Sequence, residues 1–125
     1  MIIEIDFESN EAIYMQLRNQ IVMGIAMSVL QEGDSLPSVR QLAEEVGINM
    51  HTVNKAYNIL KQEGYLRVDH RRGTVVAIAQ NRADALEDLK KQLRLLLAGA
   101  ACKNISRQEV RELIDEIYNE YGGLE

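Results

Sequence analysis

Ile13, Leu17, Ile21 and Ile25 recur at every fourth position, and after an extended Ile3 to Phe7 this spacing predicts an amphipathic helix over about residues 10–30. Ser9 or Asn10 is placed to cap it, and Gly33 lies near its expected close. Leu36-Pro37-Ser38-Val39-Arg40-Gln41 follows, with Ser38 and Gln41 at capping-box spacing. It starts a short helix that carries Val39, Leu42, Ala43 and Val46 and stops at Gly47. Asn49 suits the cap of a third helix over about residues 50–63, and Gly64 supplies the left-handed residue that ends it. Only Gly47 to Asn49 separate these two helices, so they must cross steeply. Ala43, Gly47 and Val53 then supply close packing, a tight turn and an apolar anchor, which is a helix-turn-helix pattern.

Tyr65 to Asp69 and Thr74 to Ile78 are β-prone runs, and His70-Arg71-Arg72-Gly73 between them predicts a hairpin with a basic tip, placed as a wing. Leu86, Leu89, Leu93, Leu96 and Leu97 share one helical stripe, broken over Ala98 to Asn104. Ser106 and Glu109 form a second capping box with Ile105 and Val110 as its hydrophobic staple. Val110, Leu113, Ile114, Ile117, Tyr118 and Tyr121 continue at helical spacing. Two antiparallel amphipathic helices are expected there. The fold class is therefore mainly α with a small β-hairpin: a winged helix-turn-helix domain over residues 1–80, then a two-helix tail over residues 81–125 for dimerisation. Leu86, Leu89, Leu93, Leu96, Leu97, Val110, Leu113, Ile117 and Tyr121 are the expected homodimer interface, because symmetric pairing doubles the contacts of one short module. Folding back onto the winged domain is the alternative use of the same side chains.

Composition narrows the class. At 125 residues, 46% hydrophobic and 26% charged, the chain suits one globular domain with a small appendage and excludes a large multidomain enzyme. Its longest apolar stretches fall short of the roughly 20 residues a membrane span needs. Acids stand where a secretory signal would carry Lys or Arg, and one cysteine makes no internal disulfide, so a cytoplasmic location is expected. The net charge of −5 argues against a polyanionic partner until it is divided. Residues 1–34 carry one base and six acids, residues 35–80 six bases and four acids, and residues 81–125 seven bases and nine acids. Only the middle segment is basic, and binding to polyanions responds to the local field.

The third helix carries the most chemistry. Val53, Ala56, Tyr57 and Leu60 share the side that must face the core, while His51, Asn54, Lys55, Asn58 and Gln62 fall on the opposite side. Every one of these outer side chains can donate a hydrogen bond and none is acidic. Asn and Gln can pair with adenine in a major groove that just admits a helix. A merely solvated face would mix Glu with Lys. Arg40 lies in the first turn of the preceding helix, where a cation opposes the macrodipole and asks for an external anion; pairing with Glu44 is its alternative. Ser35, Ser38 and Thr52, with the backbone amides near them, are expected near phosphates, which position a protein without specifying sequence. At the wing, His70, Arg71 and Arg72 flank Gly73, suiting a narrow minor groove. Two histidines without paired cysteines or carboxylates make no metal site, no cofactor is implied, and Cys102 is expected to be a buried, inert thiol. No nucleophile elbow, Gly-rich phosphate loop or H-E-x-x-H is present, so no enzyme is expected. A winged helix that binds protein instead of DNA is the alternative function.

Leu36 to Ala43, Val46-Gly47-Ile48-Asn49, Thr52 to Tyr57, Leu60, Glu63-Gly64-Tyr65-Leu66 and Gly73-Thr74-Val75-Val76 together closely resemble the winged helix-turn-helix of the GntR family of bacterial transcription regulators, over about residues 10–78. The short tail is similar to that of the YtrA-like subfamily. The resemblance implies a dimeric repressor, often of a transporter-type operon, that binds a palindromic double-stranded DNA operator. It leaves room for a small-molecule effector of unknown identity. It also places the family's DNA-contacting arginine on Arg40, the recognition-helix start on Asn49 to Val53 and the wing glycine on Gly73. Met50 departs from the Arg or Pro common there, which shifts readout onto His51, Asn54 and Lys55.

Overall fold

Leu17 and Ile21 from one helix, Val53, Ala56, Tyr57 and Leu60 from another, and Leu66 and Val76 from a hairpin lose almost all solvent contact together, and this core mounts the elements of the first three-fifths of the chain. The computed structural model describes residues 2–78 and 81–122. The chain forms α1 (Ile13–Ala26), α2 (Val39–Val46), α3 (Met50–Gln62), β1 (Leu66–Asp69), β2 (Gly73–Val76), α4 (Arg82–Cys102) and α5 (Arg107–Glu120). It divides into two compact units, Met1–Ala79 and Gln80–Glu125. No helix among the described residues is long and apolar enough to cross a membrane.

In the first unit α1 and α2 both pack on α3, and β1 pairs antiparallel with β2, Leu66 opposite Val76 and Asp69 opposite Gly73. The other edge of β2 is also used, by the loop before α2. Leu36 N donates to Thr74 O at 2.8 Å and Val76 N to Asp34 O at 2.9 Å, so the wing is fastened to the helix-turn-helix through Ser35. Helix α1 is shorter at both ends than the apolar spacing suggests. Neither Ser9 nor Asn10 caps it; the N-cap is Ala12, with no side-chain hydrogen bond, while Ser9 Oγ accepts from Glu11 N at 3.0 Å. At its far end Ser28 takes a left-handed φ of 61°, and Val29 N and Leu30 N both turn back to Gly24 O. Burial of Leu30 against Gly24 explains this early stop, because a continued helix would carry Leu30 away from the core.

The N-terminal arm is held by two glutamines one turn apart on α1. Gln16 Oε1 accepts from Asp6 N and its Nε2 donates to Asp6 O, both at 2.9 Å, and Gln20 treats Glu4 the same way. Two amides spaced by four on a helix thus match an extended backbone spaced by two, and Ile3 and Ile5 are set against the core.

In the second unit α5 opens on the expected box. Ser106 Oγ accepts from Glu109 N, and Glu109 Oε1 accepts from Ser106 N, both at 3.1 Å. These bonds hold the Glu109 carboxyl below its ordinary range. Three expectations are corrected. Residues 98–102, read as a break, are the last turn of α4, and the chain turns only at Asn104 with a φ of 59°. The two helices are not packed as an antiparallel pair: among the described residues none in α4 or α5 is buried, and their backbones make no close approach. Cys102 is exposed, not buried. The physical reason is common to the last two, since an apolar stripe records that a face needs cover without saying which surface supplies it.

Candidate nucleic-acid interface

The helix-turn-helix is locked by a buried polar contact. The Tyr57 hydroxyl donates to Pro37 O at 2.8 Å, tying the middle of α3 to the loop that launches α2, and burial pushes the phenol pKa well up. Ser38 and Gln41 complete a reciprocal capping box, and Gly47 takes a left-handed φ of 78° at the turn. The Asn49 side-chain oxygen accepts from His51 N at 2.7 Å and starts α3. Ser38 and Asn49 are therefore cap residues first; each keeps its hydroxyl or amide donors for an external acceptor.

On α3 the two faces separate as the spacing requires. Val53, Ala56, Tyr57 and Leu60 are buried, while His51, Asn54, Lys55 and Asn58 are exposed and Thr52 is half-buried at the edge. Lys55 does not extend freely. Its Nζ lies 3.9 Å from the ring centroid of Tyr14 on α1, a face-on cation–π contact that periodicity on α3 could not reveal. Arg40 is exposed in the first turn of α2. The pairing with Glu44 does not form: among the described residues Arg40 makes no ion pair. Ser35 is exposed in the loop before α2, where it bridges to Val75.

The wing tip separates two arginines that the sequence groups together. Asp69 Oδ1 accepts from Arg71 N at 2.8 Å and from Arg72 N at 3.1 Å, which folds the turn. These bonds hold the Asp69 carboxyl below its ordinary range, helped by the charges of Arg72 and Arg67. Arg72 then reaches back, its Nη1 donating to Gly33 O at 2.9 Å and its Nη2 lying 3.7 Å from Asp69 Oδ2. That guanidinium is thus a latch on the Gly33 loop, and Arg71 with His70 is left as the exposed tip. Gly73 has a φ of 75° with open space where a Cβ would point, so left-handed backbone, not contact, requires glycine there.

Three residues of the arrangement were not singled out from the sequence. Asp69 and Gly33 shape the wing; the signal for Asp69 was an acid directly before the basic tip, whereas Gly33 lies 39 residues from Arg72 and had no local signal. Tyr14 sits at the start of α1, where an aromatic among aliphatic neighbours was the available signal.

A helix-turn-helix joined to a hairpin, with the donor-rich face of the second helix clear of its own unit and cations on both flanks, defines the winged helix-turn-helix class of DNA-binding proteins. The profile described as bacterial regulatory proteins, gntR family, matches residues 10–76. The chain is 34% identical over 120 residues to the HTH-type transcriptional repressor YtrA of Bacillus subtilis (strain 168), covering 92% of this chain and 91% of that one. It is similar to the solved structure of YtrA from Sulfolobus acidocaldarius, a GntR-family transcription factor, at 40% identity and a TM-score of 0.60, over 94% of this chain and 97% of that one. It is also similar to the DNA-binding domain of AraR, solved in complex with operator ORE1, at 25% identity and a TM-score of 0.51, over 62% and 94%. The chain belongs to the GntR family of transcription regulators, with YtrA among its relatives.

Proposed function

We propose that this DNA-binding regulator is a cytoplasmic homodimeric repressor that sets two copies of α3 into successive major grooves of a palindromic operator. The observation that carries the reading is the exposed set His51, Asn54, Lys55 and Asn58 on the face of α3 opposite the core. His51, Asn54 and Asn58 read base edges, with Asn suited to adenine. Arg40, Ser35, Ser38, Asn49, Thr52 and the backbone near them fix the phosphates, and His70, Arg71 and Gly73 approach the minor groove with Arg72 bracing the wing. Dimerisation is supported by the uncovered apolar faces of α4 and α5: Leu86, Leu89, Leu93, Leu96, Leu97, Leu113 and Ile117 are all exposed, and Val110 and Tyr121 only half-buried. Cover by a second copy would remove that area from water. Control of a transporter-type operon rests on the YtrA-like resemblance alone.

The test is the salt dependence of binding to DNA from the protein's own upstream region. If n phosphates are neutralised, log affinity falls against log salt with a slope of about −0.9n. A steep slope is expected. A flat response, or no binding, would instead favour a winged helix that recognises protein.

A further inference from the structure

The ammonium of Lys55 has one ordered neighbour, the face of Tyr14, and no carboxylate among the described residues lies within ion-pair distance of it. Tyr14 is itself fixed, half-buried against the core through α1, which packs along α3. A flexible four-carbon stem is thereby drawn toward the α1 edge of the exposed face of α3, while helical spacing puts His51, Asn54 and Asn58 away from that edge. The ring covers one side of the ammonium only. Lys55 remains exposed, so its other N–H donors stay open to solvent. An edge position, a permanent charge and an immobilised stem fit a phosphate oxygen of the strand bordering the groove better than a base edge within it. We propose that Tyr14 is a positioning residue that holds Lys55 ready for a DNA phosphate, and that Lys55 contributes affinity independent of sequence. This rests on the reading that α3 enters the groove. The gain is entropic: a lysine normally surrenders much of its rotamer freedom on contact, and here most of that loss occurs at folding.

Because a phosphate contact carries no sequence information, a mixed-sequence duplex is a sufficient probe, and fluorescence anisotropy at low salt reads its affinity. Lys55→Ala should weaken binding to this duplex and to upstream DNA by the same factor, and lower the magnitude of the salt slope by about 0.9. Tyr14→Leu should weaken binding about two- to five-fold with Lys55 present, the size expected when one side chain must be ordered on binding instead of at folding. It should have no effect in the Lys55→Ala background, and Tyr14→Phe should bind as the wild type does. In the free protein the Lys55 ε-methylene protons should be shifted upfield by the ring, and lose that shift in Tyr14→Leu. A purely structural role for Tyr14 would produce neither the background dependence nor the proton shift. The proposal is overturned if Tyr14→Leu acts equally in both backgrounds, if it tightens binding by releasing a sequestered lysine, or if Lys55→Ala changes base preference. Wild-type protein that binds neither duplex strikes the function reading itself. Wild-type binding with additive Tyr14 and Lys55 effects strikes this inference alone.

Discussion

Leu93→Glu combined with Ile117→Glu is expected to yield a folded monomer that binds its operator about a hundred-fold or more weakly than the wild type, since linking two modules raises avidity by about 10²–10⁴. Leu93 and Ile117 lie on the apolar faces of α4 and α5, 37% and 41% exposed within the chain, so neither carboxylate would meet a packed core when the chain is alone. In a dimer the same positions would be covered, and each glutamate would have to be desolvated without a partner, which costs several kcal/mol per ion in typical proteins, of order ~3–5. The effect therefore falls on association and spares folding. Sedimentation should show the shift from dimer to monomer at micromolar concentration, while circular dichroism reports unchanged helix content. A wild type already monomeric there, or a variant that stays dimeric, would remove these faces as the interface.

Arg40→Ala should move DNA affinity and fold stability in opposite directions. Loss of an arginine contact costs about 1–3 kcal/mol of operator binding. Yet Arg40 stands in the first turn of α2, beside the positive end of the helix, with no ion pair among the described residues to compensate it. Removing a cation from that place, and putting alanine there, should stabilise the domain by about 0.3–1 kcal/mol. Chemical denaturation and anisotropy on one preparation check both signs. A variant that loses stability and affinity together would mean that Arg40 is structural.

The elements legible in the sequence are those whose signals are local. Ser38 with Gln41, Gly47, Asn49 and Gly64 act within one turn of their own backbone, and α2, α3 and the wing lie close to where these residues put them. Errors fall where the deciding partner is distant. Helix α1 stops early because Leu30 must reach the core, which no residue near Ala26 announces. Gln16 is buried because an arm ten residues away needs its amide, a use that nothing near it in the sequence announces. Arg72 resembles Arg71 in the sequence and differs only because Gly33 O lies across the fold. The C-terminal helices were legible as helices and not as a pair, since their cover lies outside anything their own spacing encodes. The outer face of α3 was legible throughout, apart from the tether of Lys55 to Tyr14, because one period assigns both of its sides.

Hydroxyl-radical footprinting of the protein on its own upstream DNA bears most directly on the α3 assignment. Two protected half-sites are expected, symmetric about a dyad and centred one or more helical turns of about 10 base pairs apart, and substitution of Asn54 or Asn58 should alter base preference within each. Uniform protection without a dyad, or a symmetric footprint indifferent to both asparagines, would contradict it.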